Sequence, residues 1–169
     1  MQKMENPLTT QLSDLILGID HIAVAVENID DSIRWYSSAL GFSLIECSEI
    51  TGDYSGMVYA VMQAGNSSVV LVQGTSPESQ VSKFLAAFGT GMHHIAFAVS
   101  DLDAAIARVA QAGGSADTPV VRDQEIRQIF LQRDLKTGVR IELIERRGAP
   151  FSRQNVERLF RVLEEKDLY

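Results

Sequence analysis

The sequence predicts an α+β fold in which two βαβββ modules form one cupped mixed sheet, with an added helix at the C-terminus. Three observations carry that prediction. Residues 18–33, GIDHIAVAVENIDDSI, and residues 91–106, GMHHIAFAVSDLDAAI, repeat at a constant offset of 73, with eight of sixteen positions identical. Each copy opens as an alternating apolar strand and then changes to helical spacing. Each is followed by short strand-like runs punctuated by turn residues. A unit repeated at this period buries a core only by packing on its copy, so the duplication organises the whole chain.

The elements follow in order. Residues 1–14 read as a flexible polar lead-in. Strand 17–26 alternates, with Ala23 and Ala25 on the face opposite Ile22, Val24 and Val26. Residues 28–31 offer capping side chains, Ile33, Trp35, Tyr36 and Leu40 stand at helical spacing, and Gly41 ends the helix. Strands are expected over 42–50, 57–63 and 67–73, the last two as a hairpin across AGNS. GTSPESQ at 74–80 links the halves, and a short helix covers 81–88.

The second half repeats the order: strand 93–99, helix 102–112 stopped by Gly113 and Gly114, then strands 118–122, 126–132 and 139–146. Beyond the repeat, Val156, Leu159, Phe160 and Leu163 fall at i, i+3, i+4 and i+7, so 155–166 should be an amphipathic helix capped by Ser152. The expected organisation is one domain over 15–148, in modules 15–74 and 89–148, and a lid helix within 149–169.

Composition bounds the function. With 169 residues and 46% apolar side chains, the chain can bury one substantial core. A formal charge of −7 argues against nucleic acid or an anionic membrane as partner. No apolar run is long enough to span a bilayer, and the polar start MQKMENPLTT lacks a signal-peptide core. The single cysteine, Cys47, excludes an internal disulfide and suits a reducing cytoplasm. With no histidine near it in sequence, Cys47 reads as a half-buried strand residue rather than a nucleophile. Glu142 is different. It interrupts the apolar run VRIELIE, where a buried carboxylate without a partner would cost several kcal/mol. Glu145, further along, reads as solvent-facing.

Two βαβββ halves with matching first-strand histidines resemble the vicinal oxygen chelate superfamily, over residues 16–147. The resemblance implies a cup whose metal ligands come from the first and last strands of each module. Carried over position by position, the first-strand ligands are His21 and His94, and aligning VVLVQ (69–73) with IELIE (141–145) puts Val70 and Glu142 at the last-strand positions, of which only Glu142 can ligate. Two neutral imidazoles and one carboxylate are the facial triad of non-haem Fe(II) oxygenases. Strand alternation turns His93 to the face opposite His94, so it reads as a supporting or structural residue outside the ligand set.

Two families within the superfamily divide the chain. Residues 72–97, VQGTSPESQVSKFLAAFGTGMHHIAF, are similar to methylmalonyl-CoA epimerases, which use a fourth ligand where this chain has Val70. Residues 128–166 are similar to the catalytic domain of 4-hydroxyphenylpyruvate dioxygenase and to hydroxymandelate synthase. The matching elements are Gln128-Ile129-Phe130, the run Glu142–Arg146, and Phe151, Asn155, Leu159 and Phe160. Arg140-Ile141 stands where those dioxygenases usually carry an aromatic pair.

The resemblance therefore implies a dioxygenase that takes O2 and a small 2-oxo acid or related chelating substrate. Its cofactor would be Fe2+, with Co2+, Zn2+, Mn2+ or Ni2+ as alternatives. Gln128 and Phe160 would serve catalysis, and Gln73, Phe151 and Asn155 would contact substrate. Pairing of cups into a homodimer is also implied. The alternatives are a metal-dependent epimerase or isomerase of an acyl-CoA, and a non-enzymatic metabolite-binding protein of the same fold.

Overall fold

The two modules meet along one seam, where strand β1 (Ile16–Ala25) pairs antiparallel with β5 (Gly91–Val99). The computed structural model describes residues 12–148 and 152–169. Module 1 continues with helix α1 (Ile29–Leu40) and strands β2 (Ser43–Thr51), β3 (Gly56–Ala64) and β4 (Ser67–Gly74). Helix α2 (Gln80–Phe88) connects to β5, and module 2 follows as α3 (Leu102–Gln111), β6 (Val121–Arg122), β7 (Ile126–Phe130) and β8 (Arg140–Arg146). Helix α4 (Arg153–Glu165) closes the chain. The eight strands form one curled mixed sheet in the order β2-β3-β4-β1-β5-β8-β7-β6, so each half mirrors the other about the β1–β5 seam.

The repeat reaches down to single hydrogen bonds. Asn28 caps α1 by accepting from the Asp31 amide at 3.0 Å, and its counterpart Asp101 caps α3 from the Ala104 amide at 2.9 Å. A second donor at each helix start is taken by the last strand of its module. The Ile29 amide donates to Gln73 at 2.7 Å and the Leu102 amide to Glu145 at 2.9 Å. Gln73 and Glu145 occupy equivalent positions, so both are helix-anchoring side chains. The expected substrate contact at Gln73 and the expected solvent-facing Glu145 are thereby corrected.

Helices α1 and α3 pack on the outer face of the sheet, α1 over Ala60, Met62 and Leu71, α3 over Ile129 and Leu143. The inner face carries a third cluster, including Ala23, Tyr59, Val70, Val72, Phe84 and Phe160, contributed by strands, α2 and α4 together. Three local expectations change. Thr118–Arg122 shrinks to the two residues of β6, because Pro119 has no amide to donate and the Phe130 amide donates instead to the Thr118 hydroxyl at 3.0 Å. Cys47 is exposed rather than half-buried, since β2 is an edge strand and alternation aims residue 47 outward. Within the lead-in, Leu12–Asp14 forms one turn of 3-10 helix, with Leu12 packed on the α3 cluster and Asp14 paired to Arg108. No helix among the described residues is long and apolar enough to cross a membrane.

Helix α4 spans the open side of the sheet between the two modules. Arg158 donates to the Arg122 carbonyl on β6 at 2.7 Å, and Arg153 to the Glu49 carbonyl on β2 at 3.2 Å. At its far end the buried Glu164 accepts from the Asp53 amide at 2.7 Å and from the Ser55 hydroxyl. Gly52 makes this approach possible, because a Cβ there would lie 2.0 Å from the Glu164 carboxylate. Glu164→Ala leaves both donors unanswered and is expected to cost about 2–3 kcal/mol, read as a lower denaturation midpoint with faster amide exchange in α4.

Candidate metal centre

Three neighbouring strands set three ligand-type side chains into the cup. His21 on β1 lies opposite Ala96 on β5, and Ala96 lies beside Glu142 on β8, so one small residue separates the imidazole from the carboxylate. His94 lies opposite Ala23. Both alanines are fully buried, and their lack of bulk leaves the three longer side chains room to converge. His21 Nε2 and His94 Nε2 are 3.3 Å apart, and Glu142 Oε2 lies 3.5 Å from the first and 3.2 Å from the second. Within the described residues these form one group, with ligand atoms all within 4.8 Å of one another.

The strand backbone departs from simple alternation at two places. Along the β1–β5 ladder, Ile19 faces Phe97 and His21 faces Ala96, which leaves Asp20 as an extra residue; Ala23 faces His94 and Val24 faces Met92, which leaves His93 extra. These bulges fall at repeat-equivalent positions and re-aim the residue before each histidine. Asp20 Oδ1 accepts from His21 Nδ1 at 2.7 Å, and Arg146 forks onto Asp20 at 2.6 and 2.9 Å. His93 Nδ1 lies 2.8 Å from His94 Nδ1, and its ring packs on Phe84 with centroids 4.9 Å apart. The expectation that His93 faces away is therefore corrected: the bulge brings it behind His94. It stays outside the ligand group.

Burial sets the protonation of this cluster. It pushes Glu142 up to about 7, against the pull of His21, with the charge on Asp20 adding to the rise. Burial also holds His93 and His94 well below the usual imidazole range, reinforced by His94 at His93, by His21 at His94, and by Arg140 and Arg133 at both. At Asp20 burial likewise opposes ionisation, but hydrogen bonds from His21 and Arg146 outweigh it and keep the carboxylate ionised. Two imidazole nitrogens and a carboxyl group thus converge on one spot, and Glu142 Oε1 has no hydrogen-bond partner among the described residues. That donor set fits a divalent cation, which would supply the missing positive charge.

The triad opens on a cavity walled largely by apolar side chains. Gln128 on β7 and Asn155 and Phe160 on α4 line it, all at least nine-tenths buried. Gln73 does not, and Phe151 lies outside the described residues. Tyr59 and Gln80 line it too, and neither was expected from sequence. Tyr59 donates to Glu46 on β2, and a phenol so placed leaves no mark in a strand of alternating apolar residues.

Residues 18–143 match the family model described as Glyoxalase/Bleomycin resistance protein/Dioxygenase superfamily. The chain belongs to this superfamily. Its fold is similar to a mutant of 4-hydroxymandelate synthase from Streptomyces coelicolor, with a TM-score of 0.78 and 21% identity over 88% of this chain and 54% of that one. It is also similar to methylmalonyl-CoA epimerase from Mycobacterium tuberculosis, with a TM-score of 0.67 and 31% identity over 80% and 91% of the two chains. A curated relative, the uncharacterized protein YqjC of Bacillus subtilis (strain 168), is 34% identical over 79 residues, 47% of this chain and 55% of that protein. The chain thus spans about half the length of the first of these structures and of that relative.

The superfamily's duplicated architecture exposes an inequality in this member. His21, Ala96 and Glu142 form one row across three strands, and the mirror row is His94, Ala23 and Val70. Val70 is therefore the structural counterpart of Glu142, buried and lining the same cavity. One module offers histidine and carboxylate. The other offers histidine and an isopropyl group.

Proposed function

We propose that this protein is a non-haem Fe(II)-dependent dioxygenase acting on a small 2-oxo acid or a related chelating substrate. The observation that carries this reading is the Val70 row: three ligand-type side chains converge at one spot, with an inert wall where a fourth would stand. His21, His94 and Glu142 would hold Fe2+, whose chemistry is to chelate the substrate's 2-oxo acid group and activate O2 at the positions left open. The chain does the rest. Asp20 and Arg146 keep His21 in one orientation, Val70, Val72 and Phe160 exclude water, and Gln128 offers an amide to orient the substrate's polar groups. Helix α4, with Asn155 and Phe160 over the cavity, serves as the cover.

A second reading, a metal-dependent epimerase or isomerase, is favoured by the 31% identity to methylmalonyl-CoA epimerase across 91% of that enzyme. Phenylpyruvate under anaerobic conditions tests the first reading without turnover. The Fe2+-loaded protein is expected to bind it at least about tenfold more tightly than the metal-free protein, since chelation is lost with the metal. Equal affinities by titration calorimetry would remove the chelating role.

A further inference from the structure

Resting on the reading of His94 as a metal ligand, we infer that His93 is a positioning residue: its Nδ1 accepts the Nδ1 proton of His94 and locks that ring with Nε2 facing the cation. Two ring nitrogens 2.8 Å apart need one proton between them, and either ring could own it. The surroundings decide which. His94 Nε2 lies 3.2 Å from Glu142 and 3.3 Å from His21 Nε2, so it is the ligand atom and must carry a lone pair when a cation is bound. The proton of His94 is then on Nδ1, and His93 must receive it with an unprotonated Nδ1. His93 therefore keeps its own proton on Nε2.

The repeat makes this a comparison within one molecule. Asp20 and His93 stand at the same position of the two modules, both as the extra residue of a bulge, and both meet the Nδ1 of the histidine that follows. The partners differ in charge. Asp20 is a carboxylate forked by Arg146, whereas His93 is a second imidazole. The two imidazole ligands are thus backed unequally: a carboxylate orients His21, and an imidazole nitrogen orients His94. His93 makes a second contact, its ring against Phe84, and this contact has to be separated from the hydrogen bond.

Two variants separate them. His93→Phe keeps an aromatic ring against Phe84 and loses the acceptor, while His93→Gln loses the ring and restores an acceptor oxygen. Co2+ titration followed by its visible absorption is the readout. His93→Phe is expected to weaken Co2+ binding roughly 10- to 100-fold, and His93→Gln to stay within about threefold of the wild type. The reverse order, or equal affinities for all three proteins, would overturn the positioning role. Nitrogen NMR of the Zn2+-loaded wild type gives a test that needs no variant: His93 is expected to be protonated at Nε2 and bare at Nδ1, and the opposite tautomer contradicts the proposal. Absence of any metal binding by the wild type would instead defeat the underlying ligand assignment, and the positioning role with it.

Discussion

Replacing Glu142 by glutamine is expected to abolish stoichiometric binding of Fe2+ or Co2+ at neutral pH and to stabilise the metal-free protein. The first half follows from charge. Glu142 is the anionic member of the triad, and its loss should exceed the 10–100-fold effect typical of residues that only support a ligand, so a drop of more than about 100-fold is predicted. His21→Ala and His94→Ala should do the same, while His93→Ala should still fill at high metal concentration. The second half follows from linkage. The folded protein holds the Glu142 proton up to about 7 against an ordinary value of 4.5, so the metal-free wild type is penalised as pH rises through 7. Removing the charge should recover about 3 kcal/mol at pH 8 and nearly nothing below pH 4.5. Metal binding needs the ionised carboxylate, so Co2+ affinity should fall about tenfold per pH unit below 7, with proton uptake by His94 adding nothing until lower pH. Denaturation of the metal-free proteins at pH 5 and 8, and Co2+ titrations between them, check both signs.

Val70→Glu is the second large effect. The substitution recreates, in module 1, the carboxylate that module 2 carries at the equivalent position, directly beside Ala23 and facing the cavity. A cation held by four protein ligands loses a position that a chelating substrate and O2 would share. O2-dependent turnover is expected to fall by more than about 100-fold, roughly the scale of losing one directly acting group. Binding of Zn2+ or Co2+ is expected to persist or tighten. In the metal-free state the added carboxylate is buried without a partner and should lower stability by several kcal/mol, recovered when metal is supplied. Metal titration and oxygen consumption on the same preparation separate this result from simple misfolding.

What could be read from the chain, and what could not, divides along physical lines. The repeat exposed the two-module architecture and paired His21 with His94 because identical local patterns fold into identical strands. Glu142 stood out because a carboxylate inside an apolar run needs a partner. Val70 was located by the same alignment. The facing of His93 was not legible, because a period of two assigns faces only while the ladder is regular, and one extra residue reverses the assignment. Gln73 and Gln128 look alike in sequence, yet one anchors the start of α1 and the other lines the cavity. Only the strand's face distinguishes them. The closure of α4 by Glu164 depends on partners 109 and 111 residues away, a separation at which local pattern carries no signal.

The most direct measurement is oxygen consumption by protein reconstituted with Fe2+ or with Co2+ and offered a panel of 2-oxo acids and acyl-CoA thioesters. A three-ligand oxygenase centre predicts uptake of O2, with release of CO2, for at least one 2-oxo acid, with Fe2+ alone. Conversion of an acyl-CoA without oxygen, equally fast with Co2+ and with Fe2+, would contradict it and establish the epimerase reading.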